Sequence, residues 1–293
     1  MSAEPTLTTG QRFSLARCSH CGSARTLGPA PDRIHEQGAY GPQTPRLHGL
    51  AGPVLGAFDR QRLALLGPLA RPPARLLDAG AGRGRFVAAA RAAGYEAYGI
   101  EPSSRGALAA AAIGVPVEQV SIEGATVQDG SLDCVTLWHV LEHLDDPGAA
   151  LVRIAGWLRP GGALLIGVPN LGSLQAQLGG ERWYHLDVPR HRVHFTPAGL
   201  ESLLAASGFR PLRVHHLLLE QNPFGMWQSL VNRGTRQPSY LYNLLKRNAR
   251  LGSADLVVSL ASLPLAPAAA VLELLAGITR RGGTIAVLAQ NGE

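Results

Sequence analysis

Leu76-Leu77-Asp78-Ala79-Gly80-Ala81-Gly82-Arg83-Gly84-Arg85-Phe86 reads as a buried strand, a glycine turn and the start of a helix. Glycines let a backbone approach a ligand closely, and a helix N-terminus favours a negative group. A dinucleotide fingerprint in this frame needs glycine at position 85, which is Arg85. Asp78 argues against a dinucleotide as well, because a carboxylate beside a pyrophosphate repels it. The run suits a ligand with a cationic end.

Outward from this run, short apolar stretches alternate with helical patterns, as in a parallel α/β sheet. Strands are predicted at 74–79, 96–100, 132–138, 163–168 and 210–218. Helices are predicted at 86–93, 105–112 and 147–158, and a further one is capped by Thr196, opened by Pro197 and ended by Gly208. Glu101 follows the second strand in Gly99-Ile100-Glu101-Pro102-Ser103. An acid about 20 residues past such a loop typically bonds ribose hydroxyls. S-adenosylmethionine (SAM) matches both acids: its ammonium and sulfonium suit Asp78, its ribose Glu101, and its carboxylate can face the helix N-terminus.

The glycine run, Glu101, the segment Asp133-Cys134-Val135-Thr136-Leu137-Trp138-His139-Val140-Leu141-Glu142-His143 and Leu158-Arg159-Pro160-Gly161-Gly162 resemble class I SAM-dependent methyltransferases. The closer resemblance is to the branch with the ubiquinone-biosynthesis O-methyltransferases and uncharacterised bacterial relatives. The stretches Trp183 to His191 and His194 to Pro197 resemble a signature of those relatives. The resemblance covers about residues 75–220. It implies a doubly wound α/β fold with a seven-stranded sheet of order 3-2-1-4-5-7-6, its last strand near Gly283–Ala289. It also implies contacts from Asp78, Gly80 and Gly82 to the methionine part of SAM, from Glu101 with Pro102 to the ribose, from Ser121 and Ile122 to adenine, and from Trp138.

Four regions are expected. Residues 1–50 form an N-terminal extension, 51–220 the SAM-binding core, 221–281 an apolar and basic helical insert, and 282–293 the last strand and tail. Cys18-Ser19-His20-Cys21-Gly22 resembles one knuckle of a zinc ribbon, but a structural zinc needs four ligands and no second pair exists, so no metal is expected.

Methyl transfer needs donor and acceptor aligned, and a base if the acceptor carries a proton. Histidine suits that task near neutral pH. His139, Glu142 and His143 follow the strand at 132–138 at spacings of three and four, which place them on one face of a short helix. In the ubiquinone-type relatives a Glu stands where this chain has His139, which sets it apart from a metal-binding pattern. His185, Asp187, Arg190, His191 and His194 crowd a loop after the strand at 163–168, beside Trp183 and Tyr184, and suggest a lid. His139, His185 and His191 are the candidate catalytic residues. The two bland readings are that Glu142 and His143 brace the loop under the cofactor, and that 183–194 is a loop tied down by its own hydrogen bonds.

The 293 residues are 46% hydrophobic and carry a formal net charge of +6. Of the 27 basic residues only Lys246 is lysine, and no run of five appears, so nucleic acid is not an expected partner. Three cysteines make no disulfide framework and Met1 to Leu15 is polar, so a cytoplasmic protein is expected. Arg233, Arg236, Lys246, Arg247 and Arg250 lie where no acid occurs, before the uncharged stretch Leu256–Leu272. Pro264 and Pro267 interrupt that stretch, and a later strand must rejoin the sheet, so a single crossing of a membrane is excluded. A surface-seeking helix pair with peripheral attachment to the inner membrane, or a hydrophobic lid over a lipophilic substrate, stands against helices packed on the domain or at a homodimer interface. The expected activity is SAM-dependent O- or C-methylation of a small-molecule acceptor of lipid-like, quinone or secondary-metabolite type. The alternatives are a sugar or glycan precursor as acceptor, or a SAM-binding protein without the activity.

Overall fold

The computed structural model describes residues 13–29, 52–220, 222–245 and 253–292. In chain order its elements are β1 (Leu15–Arg17), β2 (Ala24–Thr26), α1 (Gly52–Leu66), β3 (Arg75–Ala79), α2 (Arg85–Ala92), β4 (Glu96–Ile100), α3 (Ser104–Ala111), β5 (Val117–Glu118), β6 (Leu132–Trp138), α4 (Pro147–Trp157), β7 (Leu158–Pro169), α5 (Leu174–Gly179), β8 (Val193–His194), α6 (Pro197–Ala206), β9 (Phe209–His215), α7 (Asn222–Val231), α8 (Tyr240–Leu245), α9 (Ser253–Ala261), α10 (Ala266–Ile278) and β10 (Thr284–Asn291). Lys246, Arg247 and Arg250 lie outside the described residues.

Seven strands form one sheet in the order β5-β4-β3-β6-β7-β10-β9. This is the order expected from the resemblance. β3, β4, β5, β6 and β7 run parallel, with Asp78 opposite both Gly99 and Thr136. Parallel strands are covered on both faces and therefore read as continuous apolar runs. Leu76, Leu77, Val135, Leu137, Leu164, Leu165 and Ile166 are fully buried accordingly.

Caps place the helices that flank the sheet. The Ser103 hydroxyl accepts from the Gly106 N–H at the start of α3, and the Asp146 carboxylate accepts from the Ala149 N–H (2.9 Å) at the start of α4, where Pro147 opens the helix. α4 then buries Ala150, Leu151, Ile154 and Trp157 at the helical spacing.

The chain divides into two compact units. One comprises 53–168, 198–214 and 286–293 and carries most of the sheet. The other comprises 1–52, 169–197 and 215–285, so among the described residues the N-terminal hairpin, the 183–194 loop and the insert form one body. In this second unit β1 and β2 make the Cys18–Gly22 hairpin, and β2 pairs antiparallel with β8. The Thr196 hydroxyl donates to the Cys21 carbonyl (2.6 Å) and the Arg17 guanidinium to the Gly22 carbonyl (3.0 Å), which tie the knuckle down. Trp183, Leu186 and Val188 are packed by Phe13, Leu15, Leu171 and Ala176. A separate cluster joins α7 to α10 through Met226, Trp227, Val231 and Ala269.

Candidate active site

Asp78 stands at the C-terminal end of β3, between β4 and β6. Its side chain is 4% exposed, and Oδ1 accepts from the Thr136 hydroxyl at 2.7 Å. Burial pushes its pKa up to about 6, against the pull of the Thr136 bond and the Arg62 charge. The chain turns directly after it. Gly80 has φ +82°, and a Cβ there would lie 2.3 Å from Val140 Cγ2, so only glycine lets the backbone pass. Gly84, at φ +76°, precedes α2 without any side-chain cap.

Glu101 clamps this turn to the next strand. Its Oε2 accepts from the Gly82 N–H and its Oε1 from the Ser103 N–H, each at 2.8 Å. Gly106 of α3 makes room for it, since a Cβ there would come within 2.8 Å of Glu101 Cγ. Each carboxylate oxygen can accept a second hydrogen bond, which suits a vicinal diol. Pro102 is exposed beside it. Ser121 and the buried Ile122 follow β5, which pairs with β4, and the Ser121 hydroxyl accepts from the Gly124 N–H (3.3 Å).

At the end of β6 the Trp138 indole packs on Gly167, where a Cβ would meet it at 2.6 Å. The Arg62 guanidinium lies 4.3 Å from the indole centroid and 5.5 Å from that of Phe86. His139 follows with φ +56°, an uncommon conformation for a side-chain-bearing residue and one that clusters at functional sites. Its Nδ1 lies 3.1 Å from Oε1 of Glu142, which is 1% exposed. A buried carboxylate thus fixes the imidazole's orientation, as an orienting acid does for a general base. Cys134, in the same strand, is no nucleophile: burial pushes its thiol up to about 12, and Sγ donates to the Arg75 carbonyl (3.7 Å).

Sequence reasoning missed the contribution of α1. Asp59 and Arg62 are 4% and 8% exposed, and Asp59 pairs with Arg85, whose guanidinium also donates to the Leu55 carbonyl (2.7 Å). The Arg85 that breaks the dinucleotide frame therefore anchors α2 to α1. The local signal, charges at i and i+3 on a helix, reads as a solvated face.

In the other unit, His185, Asp187, His191 and His194 are all less than 9% exposed. His191 Nδ1 meets the His185 carbonyl at 2.8 Å, and His194 Nε2 lies 2.9 Å from the Thr26 hydroxyl. Asp187, at φ +37°, accepts from Arg190. His185 contacts Tyr184 edge-on at 4.7 Å and Trp183 at 5.8 Å. The loop's titratable groups bond largely to one another and to β2.

Residues 56–214 match the family described as "Methyltransferase domain". The ubiquinone biosynthesis O-methyltransferase of Xanthomonas campestris pv. campestris (strain B100) is 34% identical over 139 residues, 45% of this chain and 55% of that protein. Its counterpart in Xanthomonas euvesicatoria pv. vesicatoria is 32% identical over 196 residues, 62% of this chain and 78% of that protein. An uncharacterized 37.1 kDa protein in transposon TN4556 of Streptomyces fradiae is 43% identical over 60 residues, 20% of this chain and 17% of that protein. The chain thus spans about half the length of the Xanthomonas campestris relative and less of the transposon protein. Among solved structures, a SAM-dependent methyltransferase from Archaeoglobus fulgidus superposes with a TM-score of 0.52 at 19% identity, covering 82% of this chain and 94% of that one. The [4+2]-cyclase SpnF does so with a TM-score of 0.53 at 20% identity, covering 80% of each chain. At these identities the two structures establish the fold alone.

Proposed function

The chain belongs to the methyltransferase-domain family, and we propose that it transfers the methyl group of SAM to a small-molecule acceptor, by O- or C-methylation of a lipid-like, quinone or secondary-metabolite compound. The observation that carries this reading is the pair of buried acids on one glycine turn, Asp78 before it and Glu101 clamped to it. The residues present fit SAM. Gly80 turns the backbone at φ +82° directly after Asp78, Asp78 is a buried carboxylate for the ammonium end, and Glu101 is a buried carboxylate for the ribose diol. Ser121 and Ile122 are assigned to the adenine, with Trp138 and Pro102 as walls. When bound, SAM supplies a methyl group already activated by its sulfonium.

The chain's own task is then to orient the acceptor and take its proton. We assign the proton to His139 Nε2, because Glu142 faces the opposite ring nitrogen. His185 and His191 shape their own loop, the His191 ring against the His185 carbonyl and both buried among aromatic and polar neighbours. The ubiquinone O-methyltransferases among the relatives support an O-methylated acceptor.

The test is a search for methylated products in cell extract supplied with methyl-labelled SAM, with and without the lipid fraction. The proposal expects label in a small molecule, enriched by the lipid fraction. His139→Ala should lower turnover about 10²–10⁴-fold, the span of general-base catalysis, and leave SAM affinity unchanged. No labelled product, or label only in protein or nucleic acid, refutes it.

A further inference from the structure

α9 and α10 pack one side against their own unit. Ala269, Glu273 and Ala276 of α10 are buried, and the Trp227 indole of α7 donates to the Ser262 carbonyl (2.9 Å) at the junction between α9 and α10. The Asp255 carboxylate of α9 accepts from the Arg236 (2.8 Å) and Gln237 (3.0 Å) N–H groups. Glu273 accepts from Gln175 Nε2 (2.7 Å) and the Gly283 N–H (2.8 Å).

The opposite side should be polar, and it is not. Val257, Leu260, Leu265, Val271, Leu275 and Ile278 are between 51% and 64% exposed. In the most apolar stretch of 254–278 only 17% of the residues are buried. Leu217, 46% exposed, extends the patch beside Gly277. An apolar face of this extent marks an interaction surface.

Charge decides what covers it. The only acids between 222 and 283, Asp255 and Glu273, are turned inward and bonded to backbone and side-chain donors. The exposed charges are cations at both ends: Arg233 and Arg236 by the start of α9, and Arg280 just past α10. Lys246, Arg247 and Arg250 are further cations of the sequence that lie outside the described residues. A second copy docking on this face would bring like charges together, whereas an anionic surface is complementary to it. Geometry agrees. The helical run Ala254–Ile278 is long and apolar enough to cross a bilayer, but Pro264 and Pro267 fall where α9 gives way to α10, and Asp255 and Glu273 bond its inner side to the rest of the unit, which a crossing helix would have to release. Such helices lie in the interface rather than cross it.

We propose that the outward face of α9 and α10 seats this protein on the surface of a bilayer containing anionic lipid. This does not depend on the methyl-transfer reading, since no turnover is needed to see it.

The test is flotation of the full chain with phosphatidylcholine vesicles and with vesicles of phosphatidylcholine and phosphatidylglycerol, each at low and high salt. The protein should float only with the anionic vesicles and detach in high salt. Val271→Ser with Ile278→Ser should abolish flotation with an unchanged melting curve, because both side chains are exposed. Arg236→Gln should weaken the partition about fivefold, the equivalent of about 1 kcal/mol per basic residue at an anionic surface. Absence of flotation, equal flotation with neutral vesicles, or serine variants that float like the wild type each overturn the proposal. So does a soluble dimer that the serine variants dissociate, which would make a second copy the occupant.

Discussion

Asp78 concentrates the tension between stability and function in one residue. Burial raises its pKa from the ordinary 3.8 to about 6, so the fold disfavours the charged form. The sign follows from linkage: the unfavourable contribution is absent below about pH 4, grows as pH rises and is complete above about pH 6. A shift of about 2 units corresponds to at most about 3 kcal/mol. Asp78→Asn keeps an oxygen for the Thr136 hydroxyl and removes the charge. Urea unfolding should therefore show the variant gaining stability at pH 8 relative to its difference from wild type at pH 4.5. SAM affinity should fall by about 1–3 kcal/mol at pH 8. A variant equally destabilised at both pH values would show that Asp78 is not a buried, strained charge. The placement of Asp78, Glu101 and Trp138 at strand ends is legible because strand ends and a glycine turn are local patterns. Asp59 and Arg62 were not, because their partners Arg85, Phe86 and Trp138 are distant in sequence, and a charged pair on a helix carries no sign of what it faces.

Among the elements, α10 is the one whose two sides make opposite demands. Glu273 is 4% exposed, and burial raises its pKa while the Gly283 and Gln175 bonds oppose the rise. Glu273→Ala leaves an amide and a backbone N–H buried without their acceptor, and should cost about 2–4 kcal/mol. Leu274→Ser, next in the chain and 47% exposed, should stay within about 0.5 kcal/mol. Chemical denaturation of the two variants compares them; equal losses would mean that the outward face is buried in solution. Most core strands and helices are readable to within a residue or two from their apolar runs and caps, but β9 ends at His215 rather than at 218, β5 and α1 go unread, and the start of β7 is missed. β7 starts at Leu158 rather than Ala163, because Pro160-Gly161-Gly162 reads as a helix stop. In the structure the residues between Leu158 and Ala163 lie within β7, with Gly161 at φ +74° and an irregular register against β6 between Leu132 and Cys134.

Across the whole molecule, sequence order and compactness part company. The 169–197 segment belongs with the N-terminal hairpin and the insert, through the pairing of β2 with β8 and the bonds of Thr26 to His191 and His194. Pairing between residues about 170 positions apart leaves no local trace in composition or periodicity, whereas the sheet order was inferable because it is a property of the family resemblance. Asp78, Glu101 and the glycine turn between them suit SAM and not a dinucleotide. Calorimetric titration of the wild-type protein with SAM and, separately, with NAD should show one site of micromolar affinity for SAM and no heat with NAD. NAD binding, or no SAM binding in a folded sample, would contradict that assignment.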